Sequence, residues 1–196
     1  MSKSLYCIRH GIAEHNMNYL KYGSSTFYDP QYVDTSLVDE GFKQARQLGE
    51  TWEDIDTIEL VIVSPLKRTL QTACEIFKDK QVPMIALEYV REFPLGKHTC
   101  NKRSSKDVLV AKYPHINFNN IQNNQDNIWM SHREETIDEL NLRIQKLKEF
   151  IRSRSETNIA LVNHSSFIGQ MKDQEIKYLD NGQEELKHCY PYLMKV

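Results

Sequence analysis

The stretch Leu5–Gly11 reads LYCIRHG, four apolar residues followed at once by Arg9, His10 and Gly11. The pattern recurs as LVIVSP from Leu60 to Pro65 and as IALVNHS from Ile159 to Ser165. A short apolar run with no polar alternation suits a strand buried on both faces of an α/β sheet better than a half-exposed hairpin strand. Met84–Leu87 belongs with these runs, and the tail Cys189–Val196 reads as an edge strand.

Helical patterns lie between the strands. Ser64 reads as an N-cap with Pro65 at the first helical position, and Leu66, Leu70, Ala73 and Phe77 follow on one face. Phe42, Ala45, Leu48 and Trp52 mark a second helix. Thr136–Glu139 has the form of a capping box, opening a helix on which Ile137, Leu140, Ile144, Leu147 and Ile151 share a stripe. Strand and helix alternate, which predicts an α/β layered domain, with the apolar stripes as core faces.

With 196 residues the chain is expected to form a single domain, 1–196, able to bury a core without disulfide or metal staples. Its 27 acidic and 25 basic residues give a net charge of −2, unlike the basic stripe of a nucleic-acid binder. No apolar run approaches a membrane span, and residues 1–9 lack the h-region and cleavage site of a signal peptide, so a cytoplasmic location is expected. Cys7, Cys74, Cys100 and Cys189 form no CxxC pair, which argues against a zinc site or a disulfide framework; Cys7 and Cys74 read as small core residues. The Asn-rich segment 115–127, HINFNNIQNNQDN, reads as a surface loop or loosely structured insertion.

The polar residues at the strand ends carry the chemistry. Arg9 and His10 end the first strand, Ser64 ends the second with Arg68 one turn later, and Asn163, His164 and Ser165 end the last long one. In open α/β sheets the ligand crevice lies beyond the carboxyl ends of the strands. Two histidines and two arginines from distant parts of the chain are thus delivered to one edge. Helix N-termini at Ser64 and near Ser165 would add backbone N–H donors. Each residue alone could be a solvated loop residue; three at corresponding places point to a dianion, phosphate above all.

These residues carry a resemblance. Arg9-His10-Gly11, with Glu14 and Asn16 after it, is similar to the RHG signature of the histidine phosphatase (phosphoglycerate mutase-like) superfamily. Ser64–Ala73, SPLKRTLQTA, resembles its S-x-L-x-R-x-x-x-T-A element, and Asn163-His164-Ser165 its late V-x-H-S element. Arg91–Gly96 and His98–Ser104, REFPLG and HTCNKRS, resemble R-E-x-x-G…H-T-C-D-x-R-S of a eukaryotic subgroup and differ from the corresponding element of true phosphoglycerate mutases. Two positions depart from the pattern: Ile12 stands where mutases carry Glu, and Val38 where the family has a Thr N-cap, with Gly41, Gln44 and Ala45 retained.

The resemblance implies a three-layer α/β/α sandwich around a mostly parallel sheet. It also implies a metal-independent phosphomonoester hydrolase of the histidine acid phosphatase type, acting on a small phosphorylated substrate with no cofactor. His10 would be the nucleophile, Glu92 the general acid and base, and Arg9, Arg68 and a protonated His164 the cations on the phosphoryl oxygens. Asn16 and Ser165 would add substrate contacts. Alternatives are a mutase-type phosphoryl transfer and a non-catalytic phosphate- or phosphoprotein-binding module. Glu14 is a rival proton donor, and Glu92 could instead form a surface ion pair with Arg91. His15 and His98 either line the pocket or are structural. Lys97, Lys102, Arg103 and Lys106 form either a solvated face or a second anion site.

Overall fold

The computed structural model describes residues 2–176 and 186–196. Residues 1 and 177–185 of the expected 1–196 domain lie outside the described residues. Six strands, β1 (Ser4–Arg9), β2 (Leu60–Val63), β3 (Met84–Ala86), β4 (Ile116–Asn117), β5 (Asn158–Asn163) and β6 (Pro191–Lys195), form one sheet in the order β4-β3-β2-β5-β1-β6. All neighbours are parallel except β6, which runs antiparallel to β1 at the edge.

The strands read as continuous apolar runs because alternate residues enter two different cores. Tyr6, Ile8, Val61, Val63, Ala160 and Val162 face α2 (Asp39–Thr51), α3 (Lys67–Ile76) and α4 (Lys106–Lys112) through Leu48, Leu70, Ile76 and Leu109. Leu5, Cys7, Leu60, Ile62, Ile159 and Leu161 face α5 (Ile137–Ser153) and α6 (Ser165–Asp173) through Leu140, Ile144, Leu147, Phe167 and Ile168. The result is the expected three-layer α/β/α sandwich. The remaining helix, α1 (Glu14–Tyr22), follows β1 directly and lies beyond the carboxyl end of the sheet. No helix among the described residues is long and apolar enough to cross a membrane.

Local details depart from the sequence reading. The second-strand helix begins at Lys67 with Leu66 as its N-cap, because the Ser64 hydroxyl is bound to His164 instead of capping. The Thr136–Glu139 capping box is formed, yet Ile137 at the first helical position is 42% exposed and leaves the apolar stripe to Leu140 and beyond. Cys7 is fully buried, whereas Cys74 is half-buried at the edge of its cluster.

The Asn-rich segment is not a loose insertion. It contributes β4, buries Phe118 and Ile121, and places Asp126 in a bidentate pair with Arg91 (2.9 and 2.6 Å). Arg91 has no exposed surface and reaches Glu88 (3.2 Å) as well. Arg103 fastens the same segment through Glu88 (2.6 Å) and the carbonyls of Asn123 and Asn124.

Replacing Asp126 by Ala leaves the buried Arg91 guanidinium without its main counter-charge. The unfolding free energy is expected to fall by about 3–5 kcal/mol, read as a lower urea midpoint at unchanged slope. Burial alone would raise the Asp126 carboxyl, but Arg91 together with the N–H groups of Arg103 and Trp129 holds it below its ordinary value. Its contribution is therefore present above the unfolded carboxyl pKa and lost as pH falls through the depressed folded value, so wild type and variant should converge in acid. Equal midpoints at neutral pH would contradict this account.

Candidate active site

Strand register builds the site. Arg9 pairs with Asn163 across β1 and β5, and Val63 with Val162 across β2 and β5, so His10, His164 and Ser64 emerge at one level. The His10 backbone N–H donates to the Asn163 carbonyl (3.0 Å), and the His10 and His164 ring centroids are 5.3 Å apart. Gly11 and Gly41 let the loop after β1 lie against the first turn of α2. A Cβ at Gly41 would land on the Ile12 carbonyl, and one at Gly11 on the Gly41 carbonyl.

The His10 imidazole is held in one tautomer. Its Nδ1–H donates to the Gly11 carbonyl (2.7 Å), and its Nε2 accepts from Arg68 Nε (3.3 Å). The basic lone pair is therefore on Nε2. Burial, and then the cations and imidazoles around it, Arg68 first, hold His10 well below its ordinary histidine pKa. It is neutral near pH 7, the state a nucleophile needs.

Arg68 has no exposed surface. Besides His10 it reaches the Cys100 carbonyl (2.6 Å) and Asn101 Oδ1 (2.9 Å), and no carboxylate among the described residues lies within ion-pair distance. His164 is equally buried, with Nε2 bonded to Ser64 Oγ (2.8 Å) and Nδ1 without a hydrogen-bond partner among the described residues. Burial and the neighbouring Arg68 push its pKa well down, so the imidazole is neutral at pH 7 rather than protonated as expected. Arg68 and His164 thus stand behind His10. Arg9, which donates to the Leu186 carbonyl (2.7 Å), reaches the cavity wall.

That cavity measures about 530 Å³, and its wall includes Arg9, His10, Asn16, Glu92, Ser165 and His188. Asn16 Oδ1 accepts from the Ala13 N–H (3.0 Å), leaving its amide Nδ2 as the donor toward a ligand. Ser165 opens α6 at the wall. Glu92 does not pair with Arg91, whose partners are Asp126 and Glu88. Its carboxylate accepts from the N–H groups of Phe93 (2.8 Å), Phe167 (3.3 Å) and Ser166 (3.4 Å) at the start of α6. Burial raises its pKa, and those donors together with Arg68 and Arg9 offset only part of the rise. Arg143 fixes the turn by donating to the Arg91 carbonyl (2.7 Å). Glu14, the rival donor, is exposed, does not line the cavity and accepts from the Ser36 N–H (3.3 Å).

His15 and His98 both line the cavity. Lys97, Lys102, Arg103 and Lys106 do not, so they form no second anion site at this wall. Arg103 and Lys106 hold carbonyls of residues 121–125, and Lys102 lies over the Trp129 ring.

Two functional positions escaped the sequence reading. His188, just before β6, donates through Nδ1 to the His10 carbonyl, and its ring centroid is 5.6 Å from that of His10. Burial beside Arg9 pushes its pKa down to about 3. Asp34, almost fully buried at φ +46°, accepts from the Lys67 N–H (2.8 Å) at the start of α3 and from the N–H and hydroxyl of Ser104 (2.8 and 2.6 Å). It supplies from a distant loop the cap that Ser64 does not. Its position among loop turns carries no motif, and the His188 segment carries none either.

Among the described residues, no group of three or more His, Cys, Asp or Glu side chains is placed to hold a metal ion. Comparison with known proteins gives a consistent answer. Residues 5–177 match the family model described as the histidine phosphatase superfamily, branch 1. The chain is 31% identical over 197 residues to "Phosphoglycerate mutase-like protein 1" of Arabidopsis thaliana, covering 85% of this chain and 69% of that one. Among solved structures it resembles a mycobacterial glucosyl-3-phosphoglycerate phosphatase (TM-score 0.61, 17% identity, 96% of this chain and 88% of that one). It also resembles the alpha-ribazole phosphatase of Shigella flexneri (TM-score 0.59, 19% identity, 94% and 86%). At such identities the structural likeness concerns the fold.

Asp34→Ala removes the acceptor for the first helical N–H of α3, one residue before Arg68. Stability is expected to drop by about 1–3 kcal/mol. The affinity for orthovanadate, a phosphoryl mimic, should fall several-fold as Arg68 loses its fixed position. Calorimetric titration against vanadate checks this, and unchanged affinity would count against Asp34 as a positioning residue.

Proposed function

This chain belongs to the histidine phosphatase superfamily, branch 1, and from that premise we propose that it is a metal-independent phosphomonoester hydrolase. It works through a phosphohistidine on His10. The observation that carries this reading is the neutral His10 imidazole with its Nε2 set against a buried guanidinium that makes no ion pair among the described residues.

His10 Nε2 attacks phosphorus, the P–O bond to the alcohol breaks, and the phosphoryl group is left on nitrogen. As Nε2 spends its lone pair on phosphorus, the Arg68 Nε–H gives up that acceptor and turns to the phosphoryl oxygens, which gain negative charge. Arg9 and the Asn16 amide face those oxygens from the cavity wall. His164 lies next to His10, and a dianion entering the site would raise its depressed pKa and favour its protonated form. Glu92, in the protonated form that burial favours, gives its proton to the departing alkoxide. It then takes a proton from the water that attacks the phosphohistidine, which releases inorganic phosphate and restores His10. The electrophilic stabilisation that a metal provides elsewhere comes here from fixed guanidinium groups.

Hydrolysis of an aryl phosphate in excess chelator is expected for the wild type and should be abolished in His10→Ala; turnover surviving in that variant would overturn the mechanism. Glu92→Gln should lower turnover of alkyl phosphates by about 10²–10⁴-fold. It should affect 4-nitrophenyl phosphate far less, because that leaving group needs no proton. The raised Glu92 pKa sets the sign of the pH dependence. Wild-type kcat/KM for alkyl phosphates falls as pH rises through it, and the variant should lack that limb.

A further inference from the structure

The wall of the cavity away from His10 is built from rings and aliphatic side chains. Tyr19 stacks on Phe27 (centroids 5.1 Å, 21° between planes), and Phe27 stacks on His98 (5.0 Å, 18°). Tyr28 meets the same His98 edge-on at 5.2 Å. Met17 and Leu20, on α1, complete this wall while remaining 49% and 73% exposed. An exposed Leu alone signifies nothing. Here two such side chains continue an aromatic stack that leads down to the nucleophile.

Charge on this wall has one sign. Among the described residues, no lysine and no arginine other than Arg9 reaches the cavity, and Arg9 lies at its phosphoryl end. The acidic Glu134 stands at the ring end, accepting from the Tyr28 hydroxyl (3.3 Å). Burial lowers the pKa of His98, so the stacked imidazole is neutral near pH 7. The basic residues at 97–106, which could have met a second anionic group, serve the 121–125 segment or lie outside the cavity. A leaving group with its own carboxylate or phosphate would meet no cation here and would face Glu134.

We infer that this wall is the leaving-group subsite and that it takes an uncharged, ring-bearing alcohol. The substrate class is then the phosphomonoester of an aromatic or alicyclic alcohol with a single anionic centre. At about 530 Å³ the cavity is of a size that holds such a molecule. A planar ring would stack in series with Phe27 and His98, and its edge would bury Leu20 and Met17. The inference rests on the hydrolase reading for its chemistry, while the subsite itself is a matter of binding.

The test therefore has two arms on the full chain in chelator. In the first, calorimetry compares three non-hydrolysable probes: phenylphosphonate, methylphosphonate and phosphonoacetate. Phenylphosphonate is expected to bind about tenfold or more tighter than either of the others. Leu20→Glu, on an exposed helix face where folding is not at stake, should remove most of that advantage. In the second, 2-phenylethyl phosphate is compared with 3-phosphoglycerate, two alkyl esters of similar leaving-group basicity. The aromatic ester should have a kcat/KM at least about tenfold higher. Equal or tighter binding of phosphonoacetate, an aryl preference untouched by Leu20→Glu, or faster turnover of 3-phosphoglycerate each overturns the inference. An aryl preference in binding with no turnover of any ester would instead uphold the subsite and overturn the hydrolase reading.

Discussion

The site depends on a buried positive charge that makes no ion pair among the described residues. Arg68 has no exposed surface, and its described acceptors are the Cys100 carbonyl, Asn101 Oδ1 and His10 Nε2, none of them charged. Enclosing a guanidinium costs several kcal/mol unless it is well hydrogen-bonded, and neutral acceptors return only part of that cost. A dianion near His10 would complete the balance, which would make anion affinity and site geometry two aspects of one electrostatic arrangement. Burial, and after it the same cation, depresses the pKa of both His10 and His164, so the neutral state of His10 comes from its position.

The helix that carries that guanidinium and the 100–101 turn that faces it are each secured by a further buried polar group. Asp34 caps the helix that carries it and ties down Ser104. Asn101, which faces Arg68, also donates to the Pro94 carbonyl (3.0 Å), while its own carbonyl is held by Arg91. Arg91 in turn is fixed by Asp126. The turn at Glu92 and the cation at Arg68 are thus linked through one buried network rather than through loops that only happen to be adjacent.

The sequence disclosed the parts whose environment is repetitive. Strands buried on both faces must be apolar at every position, so Leu60–Val63 and Ile159–Val162 stood out, and the polar residues ending them marked the sheet edge. The roles suggested for His10, Arg9 and Arg68 came from the family resemblance layered on that placement. The parts that stayed hidden depend on partners far away in the chain. Ser64 has every local attribute of an N-cap, but His164, a hundred residues on, claims its hydroxyl. Asn-rich composition concealed Asp126, whose meaning lies in Arg91. Asp34 and His188 act through tertiary position alone.

β1 carries the RHG loop, yet both of its hydrogen-bonded neighbours come from the far end of the chain: Ser4 aligns with Asn158 on β5 and with Lys195 on β6. During synthesis β1 therefore waits, apolar and unpaired, until β5 and β6 have been made. Contacts of such sequence separation form slowly, because a long loop must close before any of them gains. His10 consequently reaches its geometry among the late events of folding, and LYCI is the segment most in need of shielding from other chains in the interval.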